Sequence, residues 1–237
     1  MIHRHCAIWA GTLALVILTA IPWAGARGEA DQTKTPDTVV PLDRNVDRHK
    51  SINERAKQGN VDLLFIGDSI TQGWEGAGKD VWKSRYESRN AMNAGIGGDR
   101  TQHILWRLDN GNIDGLSPKL AVLMIGTNNF GSNTAEEIAL GIKAIVKKFR
   151  EKLPETKLLV LGVFPRGETP DDPLRVKNVA VNALIKDVAD GKMVHYLEIN
   201  DKLMNADGTQ NRAIMPDLVH LSPKGYEIWA DAIEPKV

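Results

Sequence analysis

The strongest constraint on what this chain can fold into is an alternation of short, almost unbroken apolar runs with longer stretches of helical periodicity. Val61 to Ile66, Leu120 to Ile125 and Lys157 to Val163 are the clearest runs, with Asn90 to Asn93 and Met193 to Leu197 as lesser ones. A strand covered on both faces reads as a continuous hydrophobic run, whereas a strand with one wet face alternates. Between the runs, Asp43 to Gln58, Thr101 to Leu108, Thr134 to Lys152, Leu174 to Ala189 and Pro223 to Ile233 carry helical spacing. Thr134 and Glu137 form a capping-box pair, and Pro223 stands where a first helical turn tolerates proline. Parallel strands joined by crossover helices follow. The expected class is α/β, a three-layer α/β/α sandwich around a parallel five-stranded sheet. In such an open sheet ligands bind outside the carboxyl ends of the strands, which directs attention to the residues just after each run.

The N-terminus has a different character. Met1 to His5 is weakly basic through Arg4, Ala7 to Ile21 is apolar over about fifteen residues, and Ala24-Gly25-Ala26 supplies the small residues that a signal peptidase reads. A bilayer span needs roughly twenty apolar residues. Residues 1 to 26 are therefore expected to be a signal peptide cleaved after Ala26, with Ala30 as a second site, and the chain is expected to be exported to the periplasm or the exterior. A retained membrane anchor is the alternative; once cleaved, the chain has no segment for stable membrane insertion. Residues 27 to 42, with Gly28, Pro36 and Pro41 among polar side chains, read as a leader, which leaves 43 to 237 as one domain. Cys6 is the one cysteine and departs with the signal segment, so a thiol nucleophile is excluded. Thirty basic residues balance thirty acidic ones, which removes the usual electrostatic basis for nucleic-acid binding.

Four segments at or near the expected carboxyl edge hold unusual polar residues. Gly67-Asp68-Ser69-Ile70-Thr71 follows the first run, and a serine on a tight strand-to-helix turn presents its hydroxyl at the sheet edge. Taken alone, the tripeptide Gly-Asp-Ser reads first as a helix cap. Asn93 to Thr101 follows the second run, and its glycines let the backbone approach a ligand, although the spacing is not that of a dinucleotide-binding turn. Gly126-Thr127-Asn128-Asn129 follows the third; its asparagines serve equally as turn formers or as amide donors to a developing oxyanion. Asp217-Leu218-Val219-His220 precedes the last helix. A carboxylate three residues before a histidine can accept from one ring nitrogen and leave the other to take a proton from a serine, with a plain surface loop as the alternative.

In this order the four segments resemble the blocks of the SGNH (GDSL) hydrolase family. Gly95 to Leu108 is the most specific stretch; Asn110-Gly111, Pro118-Lys119, Gly141 to Val146, Leu161 to Gly167 and Lys177-Asn178 extend the likeness over about residues 61 to 233. Within the family it is most similar to the branch of brain-type platelet-activating-factor acetylhydrolase catalytic subunits. The resemblance implies a flavodoxin-like sheet and a serine esterase that hydrolyses short-acyl esters, acetyl in particular, through an acyl-enzyme. It makes Ser69 the nucleophile, His220 the general base and acid, and Asp217 the orienting carboxylate. The oxyanion hole would be the amides of Ser69 and Gly98 with the side chain of Asn128. Ile70, Thr127 and Val219 would form a small apolar wall beside the acyl group. Arg166 reads as a substrate contact or as an ion-pair partner of Glu168 or Asp171, and the loop from Asp201 to Met215 as a border of the pocket.

No metal or organic cofactor is called for, since His49, His103 and His195 are scattered and Asp62, Asp68 and Asp99 lack metal-ligand spacing. His103 reads as a helix-face residue near the site, and Trp82, Trp106 and Trp229 as packing between helices and sheet. The resemblance implies a homodimer and a small-molecule ester substrate. The relatives resembled are intracellular, so an exported chain puts an acetylated extracytoplasmic glycan beside a phospholipid as substrate, with lysophospholipase-like deacylation as a third reading. A non-catalytic binding protein would be expected to lack Ser69, His220 or Asn128, and all are present. Phosphoryl transfer would call for a Gly-Lys-Ser/Thr loop or a carboxylate cage, and neither occurs in the sequence.

Overall fold

The computed structural model describes Met1, His3 and residues 35 to 44 and 46 to 237, so the signal segment and cleavage site expected near Ala26 lie outside the described residues. Five strands, β1 (Leu63–Gly67), β2 (Ala91–Asn93), β3 (Leu120–Met124), β4 (Lys157–Leu161) and β5 (Val194–Leu197), pair parallel in the order β2-β1-β3-β4-β5. This is the doubly wound, flavodoxin-like order. The helices are α1 (Asp47–Lys57), α2 (Ser69–Gln72), α3 (Lys79–Arg85), α4 (Thr101–Asp109), α5 (Ala135–Lys152), α6 (Pro173–Ile185), α7 (Asn200–Leu203) and α8 (Pro223–Ile233). The short α2, α3 and α7 carry too little periodicity to stand out in the sequence. At α5 the capping box forms as its residues dictate: the Glu137 amide donates to Thr134 Oγ1 and the Thr134 amide to Glu137 Oε2.

Side chains alternate across a strand, so each buried strand feeds two cores. Leu64, Ile66, Leu123 and Val160 pack with apolar residues of α1, α4, α5 and α6. Leu63, Phe65, Val122 and Leu161 face the other way, into a layer rich in aromatic rings. There Phe65 is surrounded by Trp74, Trp82, Tyr86 and Trp229, with ring centroids 5.0 to 6.2 Å away. Trp82 and Trp229 thus pack between helices and sheet. Trp106 does not; it lies against His49 of α1, with centroids 4.7 Å apart. Among the described residues no helix is long and apolar enough to cross a membrane.

The packed unit begins at Thr35, not at residue 43. Asp37–Val39 forms a 3-10 turn, and Thr38 is fully buried. Its hydroxyl donates to the Glu137 carbonyl at 2.7 Å, its carbonyl accepts from Thr101 Oγ1 at 3.0 Å, and the Leu42 amide donates to the Gln102 carbonyl at 3.1 Å. The polar composition that suggested a leader is used against the starts of α4 and α5. Residues 35 to 44 form a strap on the domain.

Candidate active site

The site begins at the end of β1. A β-carbon on Gly67 would run into Thr71 Oγ1 and the Met124 carbonyl, so only glycine lets α2 turn back so tightly on the strand. Asp68 caps α2, its Oδ1 accepting from the Ile70 amide at 2.9 Å. With the cap supplied by Asp68, the Ser69 hydroxyl is free to bond elsewhere, and it lies 2.8 Å from His220 Nε2. On the other side of the ring, His220 Nδ1 lies 2.6 Å from Asp217 Oδ2. A carboxylate only accepts, so Nδ1 carries the proton and Nε2 is left to accept from Ser69 Oγ–H.

Asp217 is held from several directions. Its Oδ1 accepts from the amides of Val219 at 2.9 Å and His220 at 2.7 Å, a turn that places Leu218 in the left-handed region at φ +65°. For a bulky side chain that conformation stores local strain, on the order of 1 kcal/mol or more. Burial by itself would raise the Asp217 carboxyl, but the hydrogen bonds from His220 and Val219 outweigh it and hold it at about 2. The group is therefore ionised at neutral pH, where it favours a positive charge on the ring. Tyr226 of α8 donates to the Ile70 carbonyl at 2.7 Å and so ties the helix after His220 to the helix that carries Ser69.

The three expected oxyanion donors are two backbone amides and one side chain. Gly98 adopts φ +78°, and a β-carbon on the preceding Gly97 would stand 3.7 Å from Ser69 Cβ, so this loop lies close to the serine. The amides of Ser69 and Gly98 have no acceptor among the described residues. Asn128 Nδ2 donates one hydrogen to the Asp99 carbonyl at 2.9 Å, which fixes the amide and leaves its second N–H. Asp99 is fully buried and takes a bidentate grip from Arg107, at 2.6 and 2.9 Å. Removing either partner of such a pair strands a buried charge.

Other expected residues fall differently. Ile70 is 1% exposed and its side chain belongs to the aromatic core, so it does not line an acyl wall. Thr127 is buried, and its Oγ1 accepts from Arg166 Nη1 at 2.8 Å; Val219 is half-buried. Glu168 pairs instead with Arg212, and Asp171 accepts from Thr169, so neither is the partner of Arg166. Burial lowers the pKa of the Arg166 guanidinium, while Asp68 and Asp217 are the charges that most favour its cationic form. Arg166 is therefore a half-buried cation at the rim of the site. Asp68 itself is fully buried with Oδ2 unpartnered; burial pushes its carboxyl up to about 7, with the Ile70 amide opposing and Asp99 adding to the rise. His103 Nδ1 accepts from the Arg100 amide at 3.0 Å and burial lowers its pKa, which keeps the ring neutral. Among the described residues no three His, Cys, Asp or Glu side chains gather to hold a metal ion.

Sequence reasoning missed Arg175. From within α6 it donates to the carbonyls of Arg166, Gly167 and Gly208 and to Gln210 Oε1, all at 2.7 to 2.9 Å, and so joins the turn after β4 to the loop before Asp217. No local pattern marks it, since its partners lie up to 35 residues away.

The parallel α/β sheet sets a hydroxyl, an imidazole and a carboxylate in one hydrogen-bonded row beyond its carboxyl edge, and together with the family match this places the protein in the class of carboxylic ester hydrolases. The model of the GDSL-like lipase/acylhydrolase family matches residues 65 to 228, and the chain belongs to that family. It is 38% identical over 203 residues to platelet-activating factor acetylhydrolase IB subunit alpha1 of Homo sapiens, spanning 84% of this chain and 86% of that protein. To subunit alpha2 of Rattus norvegicus it is 41% identical over 206 residues, spanning 85% and 88%. In structure it is similar to a GDSL-like lipase from Bacteroides thetaiotaomicron, with TM-score 0.61 and 21% identity over 82% of this chain and 91% of that one. It is also similar to an acetylxylan esterase from Geobacillus stearothermophilus, with TM-score 0.59 and 20% identity over 73% and 92%. These two solved structures share the fold.

Proposed function

We propose that this chain hydrolyses short-acyl esters, acetyl esters above all, with Ser69 as nucleophile, His220 as general base and acid, and Asp217 as the orienting carboxylate. The observation that carries this reading is the unbroken row from Asp217 Oδ2 through the ring of His220 to Ser69 Oγ, at 2.6 and 2.8 Å. Ser69 Oγ attacks the acyl carbon while His220 Nε2 takes its proton, and the carbonyl electron pair moves onto oxygen. The N–H groups of Ser69, Gly98 and Asn128 meet that oxyanion, and ionised Asp217 stabilises the imidazolium. The bond to the alcohol oxygen then breaks, and the alcohol leaves with the proton from His220. Water repeats the sequence on the acyl-serine and releases the carboxylic acid.

Acetyl as the acyl group is supported by the acetylhydrolase relatives. For the alcohol part, the side chains of His220 and Asp217 are 49% and 57% exposed, an open setting that suits a bulky polar group such as a sugar. Export directed by residues 1 to 26 would bring the enzyme to acetylated glycans, and Arg166 at the rim would contact the substrate. A fluorophosphonate probe should label the purified protein at Ser69, and Ser69→Ala should abolish labelling and p-nitrophenyl acetate turnover; undiminished turnover would refute the mechanism. Turnover of p-nitrophenyl esters of increasing chain length, beside acetylated xylo-oligosaccharides and an acetylated phospholipid, then tests the substrate. A preference for long acyl chains would overturn the acetyl reading.

A further inference from the structure

Gly98 is bracketed by the side chain of a residue far from it in sequence. Arg44, in the strap of residues 35 to 44, lies outside the span matched by the family model. Its Nη1 donates to the Gly97 carbonyl at 2.7 Å and to Asp99 Oδ1 at 2.8 Å, so one guanidinium nitrogen brackets Gly98 from both sides. The rest of the guanidinium lies close to Gly98, where a β-carbon would stand 3.1 Å from Nη2 and 3.5 Å from Cζ. Four residues on, Arg48 Nε donates to the Gly95 carbonyl at 2.6 Å, and its other nitrogens pair with Glu75.

The Gly97 carbonyl and the Gly98 N–H belong to one planar trans peptide unit, in which C=O and N–H point in opposite directions. Holding that carbonyl therefore sets the direction of that N–H. A charge-assisted bond to the oxygen also polarises the unit and makes its N–H a better donor. Asp99 completes the device. Its side chain receives Arg44 and Arg107, and its carbonyl receives Asn128 Nδ2, so two of the three proposed oxyanion donors share one support.

We infer that Arg44 is a positioning residue for ester hydrolysis, aiming and polarising the Gly98 N–H toward the oxyanion from the carbonyl side of the same peptide. This rests on the oxyanion role proposed above for Gly98. It gives the N-terminal strap a part in catalysis besides its packing.

The test compares wild type with Arg44→Ala and Arg44→Lys for kcat and KM on p-nitrophenyl acetate, affinity for a phenylboronic acid that adds to the serine as an oxyanion mimic, and thermal unfolding. Arg44→Ala should lower kcat about tenfold to a hundredfold, less than outright loss of a donor. KM should change little, and boronate affinity should fall in parallel with kcat. Arg44→Lys, which keeps a cation but loses the planar fork, should lie between. A folded Arg44→Ala protein whose kcat and boronate affinity stay within twofold of wild type overturns the inference. Should that variant fail to fold, Arg44→Lys carries the same criterion. Ser69→Ala is run alongside. If it keeps turnover, the reading of the site fails and this inference with it; if it is dead while the Arg44 variants are unaffected, only the inference fails.

Discussion

Replacing Asn128 by alanine separates a chemical role from a structural one. Its Nδ2 makes one hydrogen bond, to the Asp99 carbonyl at 2.9 Å in a partly buried setting, and has a second hydrogen without a partner among the described residues. Losing the first costs the fold about 1 kcal/mol, and for a protein of this size each kcal/mol lowers the melting temperature by roughly 2–4 °C. On the proposed oxyanion role, losing the second removes a donor that acts only when charge develops on the substrate oxygen, worth about 3 kcal/mol in the barrier, or 10²- to 10³-fold in kcat. Asn128→Ala should therefore lower kcat on p-nitrophenyl acetate at least a hundredfold, leave KM within a few-fold, and unfold only a few degrees early. Asn128→Asp, nearly the same size but without N–H donors, should be at least as slow. A folded Asn128→Ala enzyme that retains more than a tenth of wild-type kcat would refute the oxyanion reasoning and leave Asn128 as a loop fastener.

Asp217→Asn should keep the turn, because its Oδ1 can still accept from the amides of Val219 and His220. It presents an amide donor to His220 Nδ1 and so forces the wrong tautomer. Kinetics should show kcat down on the order of 10³- to 10⁴-fold with melting temperature nearly unchanged, and a loss under tenfold would refute the role. Because Asp217 protonates only near pH 2, its own protonation should contribute nothing to activity loss between pH 7 and 4, and a pH profile of kcat/KM for Asp217→Asn beside wild type checks this. The buried Asp68 carboxyl, raised from 3.8 to about 7, makes a folding contribution that is complete below pH 3.8 and lost as pH rises through 7, on the order of 4 kcal/mol at most. Asp68→Asn should thus gain stability over wild type at pH 8 and little at pH 4 in urea unfolding; equal effects at both pH values would contradict the assignment. Gly141→Ala would set a β-carbon 2.6 Å from Thr101 Oγ1 and 2.9 Å from the Thr38 carbonyl, so despite alanine's better helix propensity it should destabilise by about 1–3 kcal/mol in thermal unfolding.

The sequence by itself determined the sheet and which polar segments stand at or near its carboxyl edge. Continuous apolar runs and helical periodicities are local properties, so strands near residues 63, 91, 120, 157 and 194 and the long helices between them were legible within a few residues. The same holds for the Thr134–Glu137 capping box and the Asp217–His220 turn, whose partners lie three residues apart. Tertiary structure decided which side chains at that edge face the site and which face the core. Ile70, beside the serine, turns inward to the aromatic layer, while Arg166 reaches Thr127 across 39 residues and not its acidic neighbours. Only the packed chain shows residues 35 to 44 as a strap and sets the burial that raises Asp68. Likewise, Arg44 meets Gly97 across 53 residues. The reason is physical: a polar residue looks the same in sequence whether its hydrogen bonds go to water or to a distant backbone carbonyl, and only the fold chooses between them.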